Sequence, residues 1–340
     1  MQKSNMRLYR IFLKFLCLML VMAIMPHSVF AAEPVDLDRD LSLTIDYRPG
    51  DNPLPDVGFS VYKVADMSAD PKFALTDTFS PYTVSLKDLD SAGWKRLANT
   101  LGAYVARDKL PELDRATTKE QGQLTFPQEG QILEPGLYLV LGEETSQGNY
   151  TYSPEPFLIS LPNLNTEDQW EYDVTVVPKY DSKPDGQDEK VDRKVLKVWD
   201  DEGWEEHRPE EITVELLRDG EVFDIIKLTE EDGWRYTWKG LDGAHKWQVV
   251  EKDIPEGYTV SISQENTTFV ITNTGSDEFL GTTDPEKPKK PGKPGGGGGG
   301  GKLPQTGMLW WPVPALAASG ILVFLLGWAR NSKGKEENGE

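Results

Sequence analysis

The chain is poor in the residues that carry most enzyme chemistry. Its 340 residues include one cysteine, Cys17, and three histidines, His27, His207 and His245. Cys17 and His27 lie in an N-terminal stretch that reads as removable, so the mature chain is expected to hold no cysteine. That excludes a disulfide scaffold, a thiol nucleophile and a Cys-based metal site. The histidines lack metal-ligand spacing, and there is no Gly-x-Ser-x-Gly elbow. Asp36, Asp38 and Asp40 open like a calcium loop, but Leu41 stands where glycine is needed and Tyr47 where a glutamate should be. The expectation is no metal, no cofactor and no turnover catalysis. Basic residues are also scarce, 36 against 56 acidic for a net charge of −20. Such a balance repels phosphate backbones and excludes nucleic acid as a partner.

The two ends read as address labels. Residues 1–31 combine Lys3, Arg7, Arg10 and Lys14 with the apolar run FLCLMLVMAIM and small residues Val29 and Ala31, as a secretory signal peptide does. At the other end, Met308–Ala329 is apolar and long enough to span a bilayer, and Arg330, Lys333 and Lys335 follow it. Immediately before the span stand Leu303, Pro304, Gln305, Thr306 and Gly307. Residues 275–302 are rich in Pro and Lys, with an unbroken glycine run just before Lys302; they read as an extended, then slack, linker. The run lacks the Gly-Lys-Ser/Thr ending of a phosphate loop.

Between the labels, length suggests about two domains, and the pattern is all-β. Residues 190–274 carry seven short strand candidates, punctuated by Gly, Pro, Asp and Asn, which predicts a small antiparallel sandwich. Residues 32–180 carry LSLTIDY, VGFSVYKVAD, GLYLVLGEE, EPFLISLP and EYDVTVVPKY. Between the second and third of these, Leu86, Leu89, Leu97, Leu101, Tyr104 and Val105 recur at helical spacing. This predicts a helical insertion capped by Ser85 and Asp88 and closed by Pro111.

Strand side chains alternate, so residues two apart share a face. Val195, Lys197 and Trp199 share one; Trp247, Val249 and Glu251 another; Phe269, Ile271 and Asn273 a third. Each series is core-like yet carries one polar group. Three unpaired buried polar groups would cost several kcal/mol each, so they are expected to converge. Burial favours a neutral amine and a protonated carboxyl. Such a set could join Lys197 to Asn273 in an isopeptide bond with Glu251 as proton shuttle, or rest as a buried ion-pair and hydrogen-bond cluster.

The text KVWDDEGWEEHRPEEITVELLRDG, VVEKDIPEGY and VITNT resembles the collagen-adhesin B-type (CnaB) domain. The resemblance implies an immunoglobulin-like fold, with Lys197 and Asn273 linked and Glu251 the catalyst. The ordered set of Leu303–Gly307, apolar span and basic tail resembles the cell-wall sorting signal of Gram-positive surface proteins, which implies cleavage between Thr306 and Gly307 by a sortase. VGFSVYKVAD, PFLISLP and WEYDVTVVPK resemble the N-terminal domain of Gram-positive shaft pilins. The pilin motif is carried by Trp170, Val174, Val176, Pro178 and Lys179, with Val177 in place of the usual tyrosine. It implies that Lys179 is the acceptor amine joined to Thr306 of another copy.

Two further departures concern the first domain. Tyr47 and Tyr180 stand where such domains often have a lysine and an asparagine, so no internal cross-link is expected there, and Glu143 and Glu144 are given no catalytic role. Together these resemblances imply two immunoglobulin-like sandwiches in tandem, in a protein anchored to the cell wall of a Gram-positive bacterium. Its partners would be a sortase and either identical subunits or peptidoglycan; no sequence feature names a host or matrix ligand. A non-polymerised or basal surface adhesin shares every feature except use of Lys179.

Overall fold

Strands dominate the computed structural model, which describes residues 34–185 and 190–275. The expected signal peptide, the linker beyond Gly275 and the segment holding Leu303, Pro304, Gln305, Thr306 and Gly307 lie outside the described residues. Among the described residues no helix is long and apolar enough to cross a membrane.

The first set of elements begins with β1 (Ser42–Asp46), β2 (Gly58–Met67) and β3 (Phe73–Leu75), then the helix α1 (Ser91–Asp108). It continues with β4 (Asp114–Thr117), β5 (Gln123–Phe126), β6 (Gly136–Gly142), β7 (Thr145–Gln147), β8 (Tyr150–Pro154) and β9 (Phe157–Leu161). β10 (Asn163–Leu164), β11 (Trp170–Glu171), β12 (Asp173–Val176) and β13 (Tyr180–Pro184) complete it. The second set is β14 (Lys190–Asp200), β15 (Glu211–Arg218), β16 (Glu221–Thr229), β17 (Arg235–Asp242), β18 (Trp247–Glu251), β19 (Tyr258–Glu265) and β20 (Thr268–Gly275).

In the first set, a sheet ordered β12-β1-β5 faces a larger one ordered β3-β2-β6-β9, with β4 also on β2. The alternating buried pattern of β1 and β12 supplies Leu43, Ile45, Val174 and Val176 to a core shared with Phe59, Tyr138 and Ile159. β2 and β6 are buried almost throughout, as strands covered on both faces must be. In the second set, a sheet ordered β17-β14-β20-β19 packs on one ordered β16-β15-β18.

Three expectations need correction. The second sandwich is not purely antiparallel: β14 and β20, its first and last strands, run parallel side by side. The helix does not start near Leu86. Asp88 has a left-handed φ of 52°, which breaks any helix there. The carboxylate of Asp90 instead accepts the Gly93 N–H at 2.7 Å and caps the first turn. Ser85 serves a local turn, its Oγ accepting the Lys87 N–H, while Leu86 and Leu89 reach the core from the loop. Lastly, EYDVTVVPKY is not one strand. β12 ends at Val176, and the chain crosses from the β1 sheet to pair Tyr180 with Pro154 of β8. Pro178 lies in the crossover and has no N–H for a ladder bond.

The buried face of the helix packs on both sandwiches. Leu97, Leu101, Tyr104 and Val105 belong to one apolar cluster with Leu137 and Leu158 of the first set and Val249, Val250, Val260 and Ile262 of the second.

Candidate functional site

Three polar side chains meet inside the second sandwich. Lys197 lies across from Ile271, and Trp199 across from Asn273, in the parallel β14–β20 register. Lys197 and Asn273 therefore point to the same side of adjacent strands, two positions apart. With strands about 4.8 Å apart and about 3.3 Å of rise per residue, that diagonal is within reach of a lysine side chain. Glu251 comes from the facing sheet, at the end of β18, held across from Val214 of β15.

All three side chains are sealed from solvent. Lys197 and Glu251 have no exposed side-chain surface, and Asn273 is fully buried. Lys197 Nζ lies 3.7 Å from Glu251 Oε2, and Asn273 Nδ2 donates to Glu251 Oε1 at 2.9 Å. Lys197 Nζ also donates to the Val198 carbonyl at 3.2 Å and sits 3.9 Å from the centroid of the Trp199 ring.

Desolvation governs the charges. Burial pushes the Lys197 amine down to about 8, against the opposing pull of Glu251. Burial pushes the Glu251 carboxyl up, against Lys197 and the Asn273 hydrogen bond. Both shifts favour the uncharged pair. Glu251 Oε2 and Asn273 Oδ1 have no hydrogen-bond partner among the described residues. Both are acceptors while Glu251 is ionised. A proton on Glu251, with the carboxamide turned over, gives Oδ1 a partner, because the acid then donates to it. The arrangement can thus present a free amine, a polarised amide carbonyl and a proton carrier in one dry pocket.

Residues not foreseen close the pocket. Arg208 binds Asp201 through two hydrogen bonds of 2.6 and 2.9 Å, and Tyr258 Oη donates to the same carboxylate at 2.9 Å. Arg208 holds the Asp201 carboxyl below the usual carboxylate range. Trp199 packs edge-on against Trp234 and Tyr258. Asp201 and Arg208 belong to the stretch quoted above, but their pairing across a turn has no period that sequence reading could use. Two tryptophans that each follow a glycine serve turns and this aromatic wall: Trp204 stacks on His207, and Trp234 meets Trp199.

Lys179 is far simpler. It stands exposed between β12 and β13. Its carbonyl accepts the Glu155 N–H at 2.8 Å, which pins the backbone while leaving the amine in solvent. Val177 is 69% exposed, so the residue that departs from the pilin motif falls on the solvent side.

In the first sandwich Tyr47 is wholly buried, and its ring meets Tyr180 edge-on at 6.3 Å and Phe59 at 5.5 Å. Tyr152 extends the cluster toward Tyr180. Glu143 is exposed and pairs with Arg115, and Glu144 accepts from Ser153. No buried amine, acid and amide converge there. Among the described residues no group of histidine, cysteine or carboxylate side chains could hold a metal ion.

Comparison with known proteins adds the following. Residues 193–274 match the Cna protein B-type domain, and residues 46–180 match the Gram-positive pilin subunit D1, N-terminal domain. The collagen adhesin of Staphylococcus aureus is 32% identical over 78 residues, which is 23% of this chain and 7% of that protein. Among solved structures, the major pilin SpaD of Corynebacterium diphtheriae is 17% identical, with 72% of this chain and 66% of that one covered at a TM-score of 0.28. The shaft pilin SpaA of Lactobacillus rhamnosus GG is 16% identical, covering 70% and 98% at a TM-score of 0.25. Similarity at these scores carries no argument by itself. The domain matches do, and by them the chain carries a Gram-positive pilin D1 domain followed by a Cna B-type domain.

Proposed function

We propose that the chain is a secreted pilin subunit, joined covalently into a shaft and anchored to a Gram-positive cell wall. Residues 1–31 direct export, 32–180 and 190–274 form the two structural domains, 275–302 is a spacer and 303–340 is the sorting signal. A sortase cleaves between Thr306 and Gly307 after recognising Leu303, Pro304, Gln305, Thr306 and Gly307. The Thr306 acyl group then passes to the Lys179 amine of another copy. The observation that carries this reading is the reach of the pilin D1 match: it runs to Tyr180 and so includes Lys179, whose side chain is exposed.

The Cna B-type domain is stiffened by its own chemistry. Lys197 Nζ attacks Cγ of Asn273, a C–N bond forms, and the bond from Cγ to Nδ2 breaks. Glu251 takes a proton from the attacking nitrogen and delivers one to the departing nitrogen, which leaves as ammonia. The reaction happens once per chain and is not turnover. It is supported by the convergence of the three side chains in a sealed pocket.

The test is mass spectrometry of digested cell-wall material. A branched peptide joining Thr306 to Lys179 is expected. Recovery of Thr306 only on peptidoglycan, with Lys179 free, would replace the shaft reading with a non-polymerised or basal adhesin.

A further inference from the structure

The pocket around Lys197, Glu251 and Asn273 is held partly from outside its own domain. β19 is an edge strand of the four-stranded sheet, and an open edge leaves backbone groups unpaired. Here the D1 domain takes that edge. Thr83 O accepts the Val260 N–H at 2.9 Å, and Thr100 Oγ1 accepts the Ile262 N–H at 2.7 Å. Thr100 is on α1, fully buried. One turn further along, the hydroxyl of Tyr104 donates to the backbone carbonyl of Glu251 at 3.1 Å. Tyr104 is itself buried and stacks on Tyr82 at 4.7 Å, so its hydroxyl has little freedom.

These contacts fall on backbone next to the reacting groups. Val260 and Ile262 pair with Asn273 and Ile271 of β20, so the strand that α1 braces is the neighbour of the one carrying the carboxamide. Tyr104 braces the main chain of Glu251 directly. Leu97, Leu101 and Val105 pack in the same apolar cluster as Val249, Val250, Val260 and Ile262. At the rim, Arg107 reaches Glu215 at 3.5 Å and Lys109 reaches Glu221 at 2.9 Å.

Attack of an amine on a carboxamide demands tight placement, and a displacement of about 1 Å can cost on the order of a hundredfold in rate. We propose that α1 of the D1 domain is a positioning element for the Lys197–Asn273 reaction, acting through Tyr104 on Glu251 and through Thr100 on β19. Cross-linking of the second domain then follows docking of the first, and the bond reports that both have folded. The inference rests on the proposed Lys197–Asn273 bond.

The test follows the bond in the full chain made by cell-free synthesis, sampled over time by intact mass, with circular dichroism confirming that each variant is folded. The wild-type chain becomes one ammonia lighter. Tyr104→Phe, which removes one oxygen, and Thr100→Val are each expected to slow that loss by roughly tenfold or more. Thr100→Ser keeps the hydroxyl and restores the wild-type rate, which a packing role alone would not do. Wild-type rates in folded Tyr104→Phe and Thr100→Val would overturn the inference. A wild-type chain that never loses ammonia would instead overturn the proposed bond, and this inference with it.

Discussion

Lys197 and Asn273 project to the same side of neighbouring parallel strands, two register positions apart, with Glu251 facing them from the other sheet. A bond between them would tie the first strand of the domain to the last. Glu251→Gln keeps the size of the side chain but cannot shuttle a proton as a carboxyl does. The expected outcome is a chain whose mass is not reduced by one ammonia, with Lys197 and Asn273 recovered free in a peptide map. The chain-entropy relation for a cross-link closing a loop of this size gives a stability loss of about 4–5 kcal/mol. Urea denaturation of Glu251→Gln beside wild type measures it.

The same pocket sets a pH profile. In the proposed reaction the pair that reacts holds one proton between Lys197 and Glu251. With two protons the amine is an ammonium and cannot attack; with none there is no acid to release ammonia. The lysine is pushed down to about 8 and the glutamate upward, both by burial. The rate of mass loss is therefore expected to fall on the acid side as the pair gains its second proton, and on the alkaline side as it loses its last. The two limbs belong to the pair rather than to either residue. A rate rising without limit toward high pH would show that Glu251 is not needed as an acid.

Much of this was legible before the structure, and the reasons differ by element. Lys197, Glu251 and Asn273 could be found because each interrupts an alternating apolar series, and alternation is a local property of a strand. The seven strands of the second sandwich were legible for the same reason. The parallel pairing of β14 with β20 was not, since pairing joins residues distant in sequence. The start of α1 was misread because Leu86 and Leu89 fit helical spacing by position alone; the left-handed Asp88 and the Asp90 cap decided it. Short strands such as β4 and β7 carry too few residues to show a period. The second role of α1 was hidden most completely. Periodicity marks a buried face but does not say which domain buries it.

In the first domain Tyr47 and Tyr180 meet edge-on, their ring centroids 6.3 Å apart. The hydroxyl of Tyr47 is buried without a hydrogen-bond partner among the described residues. Burying an unpaired hydroxyl costs about 1–3 kcal/mol. Tyr47→Phe keeps the ring and removes that burden, so it is expected to leave stability unchanged or raise it by about 1 kcal/mol. Tyr47→Ala removes the ring from contact with Phe59 and should cost about 3–5 kcal/mol, the range for large aromatics in a core. Thermal melts of the two variants beside wild type test this. Equal destabilisation by both would show that the hydroxyl is paired after all.

Lys179 offers the sharpest test of polymerisation because its side chain is exposed and, among the described residues, no hydrogen bond or ion pair holds its amine. The side chain is exposed, and the crossover is held by the Lys179 carbonyl and by the pairing of Tyr180 with Pro154, both of which survive substitution. Lys179→Ala should therefore fold with wild-type stability, within about 0.5 kcal/mol, as surface changes do. Lys179→Arg keeps the positive charge, but its guanidinium stays protonated and is no acyl acceptor at neutral pH. In cells that make the protein, the wild-type chain is expected to form a ladder of high-mass species that survives boiling in detergent. Both variants should reduce that ladder to the single anchored chain. Loss with alanine but survival with arginine would point to a charge contact in assembly rather than a covalent bond. An undiminished ladder in both would move the acceptor to another lysine.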